Sequence, residues 1–387
     1  MRIGFLLNHE GAHQVGHALP IALAMARIHR VEVSIFASAG AAEEEVRRTI
    51  QGASGRLTVT ALKGPGLAGK LVSALSRDSI PGRRVSVLSR SRELFRDLDA
   101  LVVPEKTSLR LKTHYGLTKL PLIHTRHGAG DRAVGFNKAS GGFDLVLLSG
   151  AKIRDRLQQA GVLKEDGYAI VGYPKFDALR NSPEPRRIFA SERPVVVYNP
   201  HVSPALSSWY SVGPAVLDYF AAQRDFNVVF APHVMLFASR YHAAVSPFGF
   251  SKVPAIAAHL RKLPHIHLDP GSPASVDMTY TRMADIYLGD ASSQIYEFLA
   301  RPRPCIFLNP RRLHWRDDPD FMHWTTGPVV EDVAGLDQAL KQAVAQPDAW
   351  REVQERLFAY TFDLRSEPSS ERAAAAIIGW LGRQGHQ

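Results

Sequence analysis

The sequence predicts an α/β protein made of two Rossmann-like domains whose parallel sheets face each other across a cleft. Two observations carry this expectation. Strand-sized apolar runs alternate with helical stretches along the whole chain, the pattern of parallel α/β layering. The alternation breaks once, at "NSPEPRRIFASERP" (181–194), a Pro-, Ser- and Arg-rich stretch without period, and then restarts. The domains expected are therefore 1–183 and 184–370, with 371–387 as a final helix that packs back on the first.

Each element follows from its local pattern. In the first half the strands are "RIGFLL", "VEVSIFA", "RLTVTAL", "ALVVPE", "PLIHTRH", "DLVLLSG" and "YAIVG". After the linker come "VVVYNP", "NVVFAPH", "HIHLD", "DIYLGD", "CIFLNP" and "GPVVED". Most are near-continuous runs rich in Val, Ile, Leu and Phe, as strands covered on both faces require. Helical stretches separate them, and "SSERAAAAIIGWLGRQ" closes the series.

Composition bounds the function classes. A chain of 387 residues, 45% hydrophobic and 22% charged, is long enough for two cores. The single cysteine, Cys305 in "PCIFLN", rules out a disulfide framework and a cysteine metal cluster and suits a reducing cytoplasm. The N-terminal "MRIGFLLNHEGAHQVGHALPIALAMARIHR" has two apolar pieces, broken by His, Glu and Gly below bilayer-spanning length. It reads as a strand and a helix, not a signal peptide. A net charge of +10 favours anionic partners. The basic runs at 81–96 and 109–119 lack interleaved aromatics and any zinc-finger, RRM or KH signature, so nucleic acid is not an expected partner. They suit a solvated helix face or a patch for an anionic membrane, peripheral on its inner face.

Ligands of parallel sheets collect outside the carboxyl ends of the strands, where helix N-termini point free N–H groups. Four such ends here are polar: "HTRHGAGDR" (124–132), "YNPHVSP" (198–204), "APHVML" (231–236) and "GDASSQ" (289–294). In the first, His127 can take a proton from an attacking hydroxyl, while Gly128 and Gly130 admit close backbone approach. Arg126 and Arg132 can neutralise a phosphate; the alternative is a solvated loop with an Asp131–Arg132 surface pair. His233 suits a hydrogen bond to a phosphate oxygen or a packed strand end, and His201 stands in a rigid turn whose Ser207 and Ser208 can cap the next helix. Ser292 and Ser293 can bond a diphosphate, and Glu297 can accept from ribose hydroxyls. N-capping by Asp290 or Ser292 is the rival explanation for part of this turn. No H-E-x-x-H or Walker A sequence is present; no cofactor is required, and magnesium would be an addition.

The order of H-G at 127–128, "IVGYPKFDAL" (170–179), Y-x-P at 198–200, "APH" at 231–233 and "ADIYLGDASSQIYEFLARPRPCIFLN" (284–309) resembles the CDP-glycerol glycerophosphotransferase family. These are teichoic acid primases and polymerases of GT-B fold. The resemblance implies that a CDP-activated alditol lies on the C-terminal domain and that a lipid-linked or polymeric glycan acceptor approaches from the N-terminal one. His127 would be the base and His233 would stabilise the donor pyrophosphate. Asp290, Ser292, Ser293, Glu297, Tyr198 and Pro232 would hold the donor nucleotide. Arg126, Gly128, Arg132 and His201 would serve phosphate and acceptor. Ala129 and Arg132 stand where the family commonly has threonine and lysine, and His201 where it carries arginine; Arg282, Arg311 or Arg312 could supply that charge. Two other readings stay open: a nucleotide-sugar glycosyltransferase or UDP-N-acetylglucosamine 2-epimerase-like enzyme, and a non-catalytic membrane-associated binding protein. Oligomeric state is open as well.

Overall fold

The seven apolar runs of the first half each form a strand: β1 (Arg2–Leu7), β2 (Glu32–Ala37), β3 (Leu57–Ala61), β4 (Ala100–Val103), β5 (Leu122–His124), β6 (Leu145–Leu148) and β7 (Tyr168–Ile170). The structure is a computed structural model and describes residues 1–9, 14–29, 31–69, 71, 82–126, 128–180, 182–245 and 248–385. These strands pair in parallel in the order β3-β2-β1-β4-β5-β6-β7, so the chain reverses direction across the sheet at β1. Their side chains are mostly buried on both faces, except on the two edge strands: β3, where Thr58 is exposed, and β7, whose three residues are half-buried. The helix Val15–Ile28 is apolar almost all round because it packs against both the sheet and the helix Ser369–Arg383.

That last packing rests on "GYPKFD" (172–177). Gly172 takes φ +85, a conformation that favours glycine, and its neighbour Tyr173 donates its N–H to Ser369 Oγ at 3.0 Å. The Asp177 carboxylate accepts from the N–H groups of Ser369 (3.0 Å) and Ser370 (2.6 Å), capping the helix from a distant part of the chain. Arg27 meets Glu371 at 2.7 Å, and Arg372 bonds the Ile170 carbonyl at 3.1 Å.

The second half repeats the architecture. The strands β8 (Val195–Asn199) and β9 (Asn227–Phe230) are followed by an antiparallel hairpin, β10 (Tyr241–Val245) and β11 (Phe248–Lys252), which the strand pattern of the sequence did not announce. Then come β12 (Ile266–Leu268), β13 (Ile286–Gly289), β14 (Cys305–Leu308) and β15 (Val329–Val330). Leaving out the hairpin, the parallel order is β12-β9-β8-β13-β14-β15, again reversing at the first strand of the sheet. Helices Gly213–Ala222 and Val333–Ala345 contribute to its core with Val216, Leu217, Phe220, Leu336 and Leu340.

The chain divides into two compact units: residues 1–127, 134–182 and 359–387, and residues 128–133 and 183–358. The break at 182/183 falls in the Pro-rich stretch. The second break lies at 358/359, inside the helix Arg351–Thr361, and not at residue 370, because the segment beyond it is bonded into the first unit: Asp363 N–H donates to the Ser149 carbonyl at 2.8 Å, and Ser149 Oγ to the Thr361 carbonyl at 2.9 Å. Residues 128–133 group with the second unit, which sequence order gave no reason to expect. Among the described residues no helix is long and apolar enough to cross a membrane.

Replacing Gly172 with alanine combines strain at positive φ with a Cβ 2.8 Å from the Asp363 carbonyl. Gly172→Ala should destabilise the protein by about 1–3 kcal/mol, read by urea denaturation, with hydrogen exchange rising first in 369–383.

Candidate active site at the strand ends of the second unit

Asp290 follows β13 and is fully buried. Its Oδ1 accepts from the N–H groups of His201 (2.8 Å) and Ala291 (2.7 Å), and its Oδ2 from the N–H (2.6 Å) and hydroxyl (2.8 Å) of Ser208. Burial pushes its carboxyl up to about 6, against these four hydrogen bonds, which favour the ionised form; at neutral pH it is a carboxylate. Asp290 therefore stitches the loop after β8 to the end of β13 and does not cap the helix Gln294–Phe298, whose N-cap residue is Ser293. Ser208 does not cap either: the next helix starts at Gly213, with Val212 at its N-cap. Tyr198, expected to hold donor, is buried in the core against Phe230, and its hydroxyl bonds Ser208 Oγ at 2.9 Å. Pro232 is buried in the segment after β9.

His201 and His233 stand at the ends of β8 and β9 with ring centroids 5.7 Å apart. Each ring is fixed the same way. His201 Nδ1 accepts from Ser203 N–H at 3.0 Å, and His233 Nδ1 accepts from Met235 N–H at 3.2 Å. A neutral imidazole that accepts at Nδ1 carries its proton on Nε2, so both rings are presented as Nε2–H donors. Burial lowers the His201 pKa to about 3, helped by His233, Arg132 and His323 nearby. Burial, with a smaller contribution from His242, lowers that of His233 to about 4. These are neutral hydrogen-bond donors at physiological pH.

The glycine loop enters the same unit. Gly128 has φ +80, and Cβ atoms placed on Gly128 and Gly130 would meet Ser293, at 3.5 Å from its Oγ and 3.1 Å from its Cβ respectively. The loop thus packs closely on the start of the helix Gln294–Phe298, most tightly at Gly130. Asp131 is buried and is no surface partner of Arg132. It accepts from the Tyr296 hydroxyl at 2.6 Å and pairs with His323 Nδ1 at 2.8 Å. His323 Nε2 lies 2.9 Å from the Asp290 carbonyl oxygen, which also accepts from Trp324 Nε1 at 3.0 Å. Sequence reasoning missed His323: it lies in the 3-10 segment Pro319–Thr326, in no pattern, and its partner is 192 residues away.

The other expected residues fall as follows. Arg132 Nε and Nη1 are buried without a hydrogen bond, with Asp320 Oδ2 at 4.0 Å from Nε. Ser293 is exposed and makes no capping bond with its side chain, whereas Ser292 is buried and accepts from Gln294 N–H at 3.3 Å. Glu297 is buried in its helix. His127 lies outside the described residues. Arg126, in the first unit, donates to the Gly135 carbonyl at 2.9 Å and lies 4.9 Å over the Phe136 ring; burial and Arg156 lower its pKa to about 10. Of the three substitute arginines, Arg312 pairs with Glu331 (2.7 Å), Arg282 bonds the Pro183 carbonyl (3.0 Å), and Arg311 reaches the Pro204 carbonyl (3.3 Å) in the loop that carries His201. Among the described residues no group of three or more His, Cys, Asp or Glu could hold a metal ion.

Two Rossmann-like parallel sheets in one chain, the second with polar groups gathered at its strand ends, define a protein of GT-B type. Solved structures agree on the fold. The wall teichoic acid polymerase TagF, in a variant soaked with CDPG, superimposes with a TM-score of 0.61 at 14% identity, covering 100% of this chain and 90% of that one. A UDP-N-acetylglucosamine 2-epimerase from Listeria monocytogenes gives a TM-score of 0.63 at 12% identity, with 98% and 96% covered. The S. aureus MnaA–UDP structure gives 0.59 at 12%, with 98% and 97% covered. These neighbours are enzymes, and the likeness is one of fold. No family model matches the sequence, and no curated protein matches it.

Removing Asp131 strands a buried histidine. Asp131→Ala should cost about 3–5 kcal/mol in urea denaturation, whereas a surface pair with Arg132 would cost about 1 kcal/mol or less. Stability should also fall towards acid. Below the usual histidine value of 6.5 the unfolded chain takes up protons that folded His201 and His233 refuse down to about 3 and 4. Each ring then removes up to about 1.4 kcal/mol per pH unit. Asp290, protonated in the folded state from about 6 downward, opposes this with a single group. His201→Gln should therefore flatten the slope between pH 6.5 and 4.5, measured as the difference in unfolding free energy from wild type.

Proposed function

We propose that the protein transfers a glycerol-phosphate or related alditol-phosphate unit from a CDP-activated donor to a hydroxyl of a lipid-linked or polymeric glycan. The observation that carries this reading is the pair of neutral Nε2–H imidazoles at adjacent strand ends, His201 and His233, with the unbonded N–H groups of Arg132 in the same unit. Neutral donors suit a diphosphate: they bond its oxygens without the proton exchange that would make binding collapse above pH 6. Arg132 would supply the fixed positive charge, and the free hydroxyl of Ser293 a further donor. His127 would accept the proton of the acceptor hydroxyl as its oxygen bonds the β-phosphorus, and the bridging P–O bond would break to release CMP. His233 would stabilise charge on the pyrophosphate as that bond lengthens. The net charge of +10 suits an anionic membrane surface where a lipid-linked acceptor resides.

What favours this reading over others of the same fold is the order of short sequence elements, above all "GYPKFD" and the "DASSQIYE" turn, together with the likeness to a polymerase structure soaked with CDPG. A uridine-nucleotide reading has its own support in the equally close fold of a UDP-N-acetylglucosamine 2-epimerase and of the MnaA–UDP structure.

A thermal-shift screen of CMP, CDP, CDP-glycerol, UDP and UDP-N-acetylglucosamine separates them. The expected result is stabilisation by cytidine nucleotides only, lost in Ser292→Ala/Ser293→Ala. With CDP-glycerol, His127→Ala and His233→Ala should lower CMP release by about 10²–10⁴-fold with the melting temperature of the free protein nearly unchanged. A uridine preference would favour the epimerase or sugar-transferase reading, and no shift at all would leave a binding protein without turnover.

A further inference from the structure

The hairpin β10–β11 has two unlike faces. Tyr241 stands directly opposite Lys252, and Ala243 opposite Phe250. Side chains alternate across a strand, so these four share one face while His242 and Ser251 lie on the other. His242 Nε2 lies 2.9 Å from the Leu236 carbonyl oxygen, which sets that second face against the body of the unit. The first face is turned outward: Phe250 is 58% and Tyr241 43% exposed, with Ala243 and Lys252 exposed beside them. Met235, next to the Leu236 that His242 meets, adds a third large apolar side chain, 43% exposed.

Single exposed hydrophobics are ordinary, but three large ones gathered around one hairpin mark an interaction surface. The charge around them selects the partner. From residue 226 to residue 268 the sequence contains no Asp or Glu, and Arg240, Lys252, Arg261 and Lys262 fall in that stretch. All four are exposed, with Arg240 directly before β10 and Lys252 at the end of β11. Aromatic and aliphatic side chains rimmed by cations match the interface of a bilayer that carries anionic lipids. The rings enter at headgroup level, and the cations meet the phosphates. Methionine and alanine suit acyl chains better than a nucleic acid, whose bases call for aromatic stacking.

We propose that the outward face of β10–β11, with Met235 beside it, docks on an anionic membrane surface. The basic runs 81–96 and 109–119 suggested such a contact for the first unit; the hairpin offers one in the second unit that joins apolar side chains to charge. It leads on from the turn that bears His233, so docking holds the strand-end site near the lipid–water boundary. The proposal takes up the membrane association of the reading above and gives it a location. Nucleotide binding tests that reading itself, so the two can fail separately.

The test is co-sedimentation of the full chain with vesicles of phosphatidylglycerol and phosphatidylcholine, and of phosphatidylcholine alone, at low and physiological salt. Wild type is compared with Tyr241→Ser/Phe250→Ser and with Arg240→Glu/Lys252→Glu. Wild type should bind the anionic vesicles about tenfold or more tightly than the neutral ones, and each double variant should weaken that binding at least about tenfold. The melting temperature and its shift by nucleotides should stay unchanged, because all four side chains are exposed. In Phe250→Trp, the emission added over wild type should move to the blue with anionic vesicles, which reads insertion without removing the apolar surface. Absence of vesicle binding by wild type at low salt, binding unchanged in both double variants, or an unmoved emission in Phe250→Trp overturns the proposal. Concentration-dependent self-association that Tyr241→Ser/Phe250→Ser abolishes assigns the face to a second copy of the chain and overturns it too.

Discussion

The buried carboxylate of Asp290 is the constraint from which the strand-end site follows. A carboxylate with no water around it needs hydrogen bonds on every side, and this one finds four, three of them from the loop after β8. Meeting that need fixes the turn that carries His201 and brings Ser208 under the Tyr198 hydroxyl. Its backbone carbonyl, held between the side chains of His323 and Trp324, links the same point to Asp131 and hence to the glycine loop. One acid thus orders three segments remote in sequence, the turn that bears His201 among them.

The division of labour among these groups has a chemical logic. Groups buried for architecture are committed on all sides: Asp290, Asp131, His323, Tyr198 and Tyr296. Those at the strand tips keep something in reserve. His201 and His233 use only the Nδ1 edge of each ring for the turn, Ser293 keeps its hydroxyl out of the cap, and two guanidinium nitrogens of Arg132 are unsatisfied. Reserve of this kind is what separates a binding surface from a packed strand end. The fold by itself does not make that distinction, because polymerase and epimerase structures share it about equally well.

Much of this was legible from sequence because parallel strands covered on both faces must be apolar from end to end, and a polar residue directly after such a run then stands out. That reasoning located the strands of both sheets and the turns bearing His201, His233 and Asp290. It could not assign roles that depend on distant partners. Asp131 beside Arg132 reads locally as a surface ion pair, and only the fold reveals His323 against it. Asp177 in "GYPKFD" reads as part of a ligand motif, yet its carboxylate caps a helix 192 residues further on. The hairpin β10–β11 escaped because "YHAAVSPFGFSK" is interrupted by Ser-Pro and has no clean alternation.

The helix Ser369–Arg383 belongs to the core of the first unit, where Ala373, Ala374, Ile377 and Leu381 lie among residues of β1, β2 and the helix Val15–Ile28. On the ribosome those first elements emerge early, but the helix that covers them emerges only after all of 183–358 has been made. The second unit has nearly all of its chain to hand before the first can close. During that interval the side of Val15–Ile28 that turns away from the sheet lacks its cover, so the core of the first unit is completed only by residues that lie beyond the whole of 183–358 in the chain.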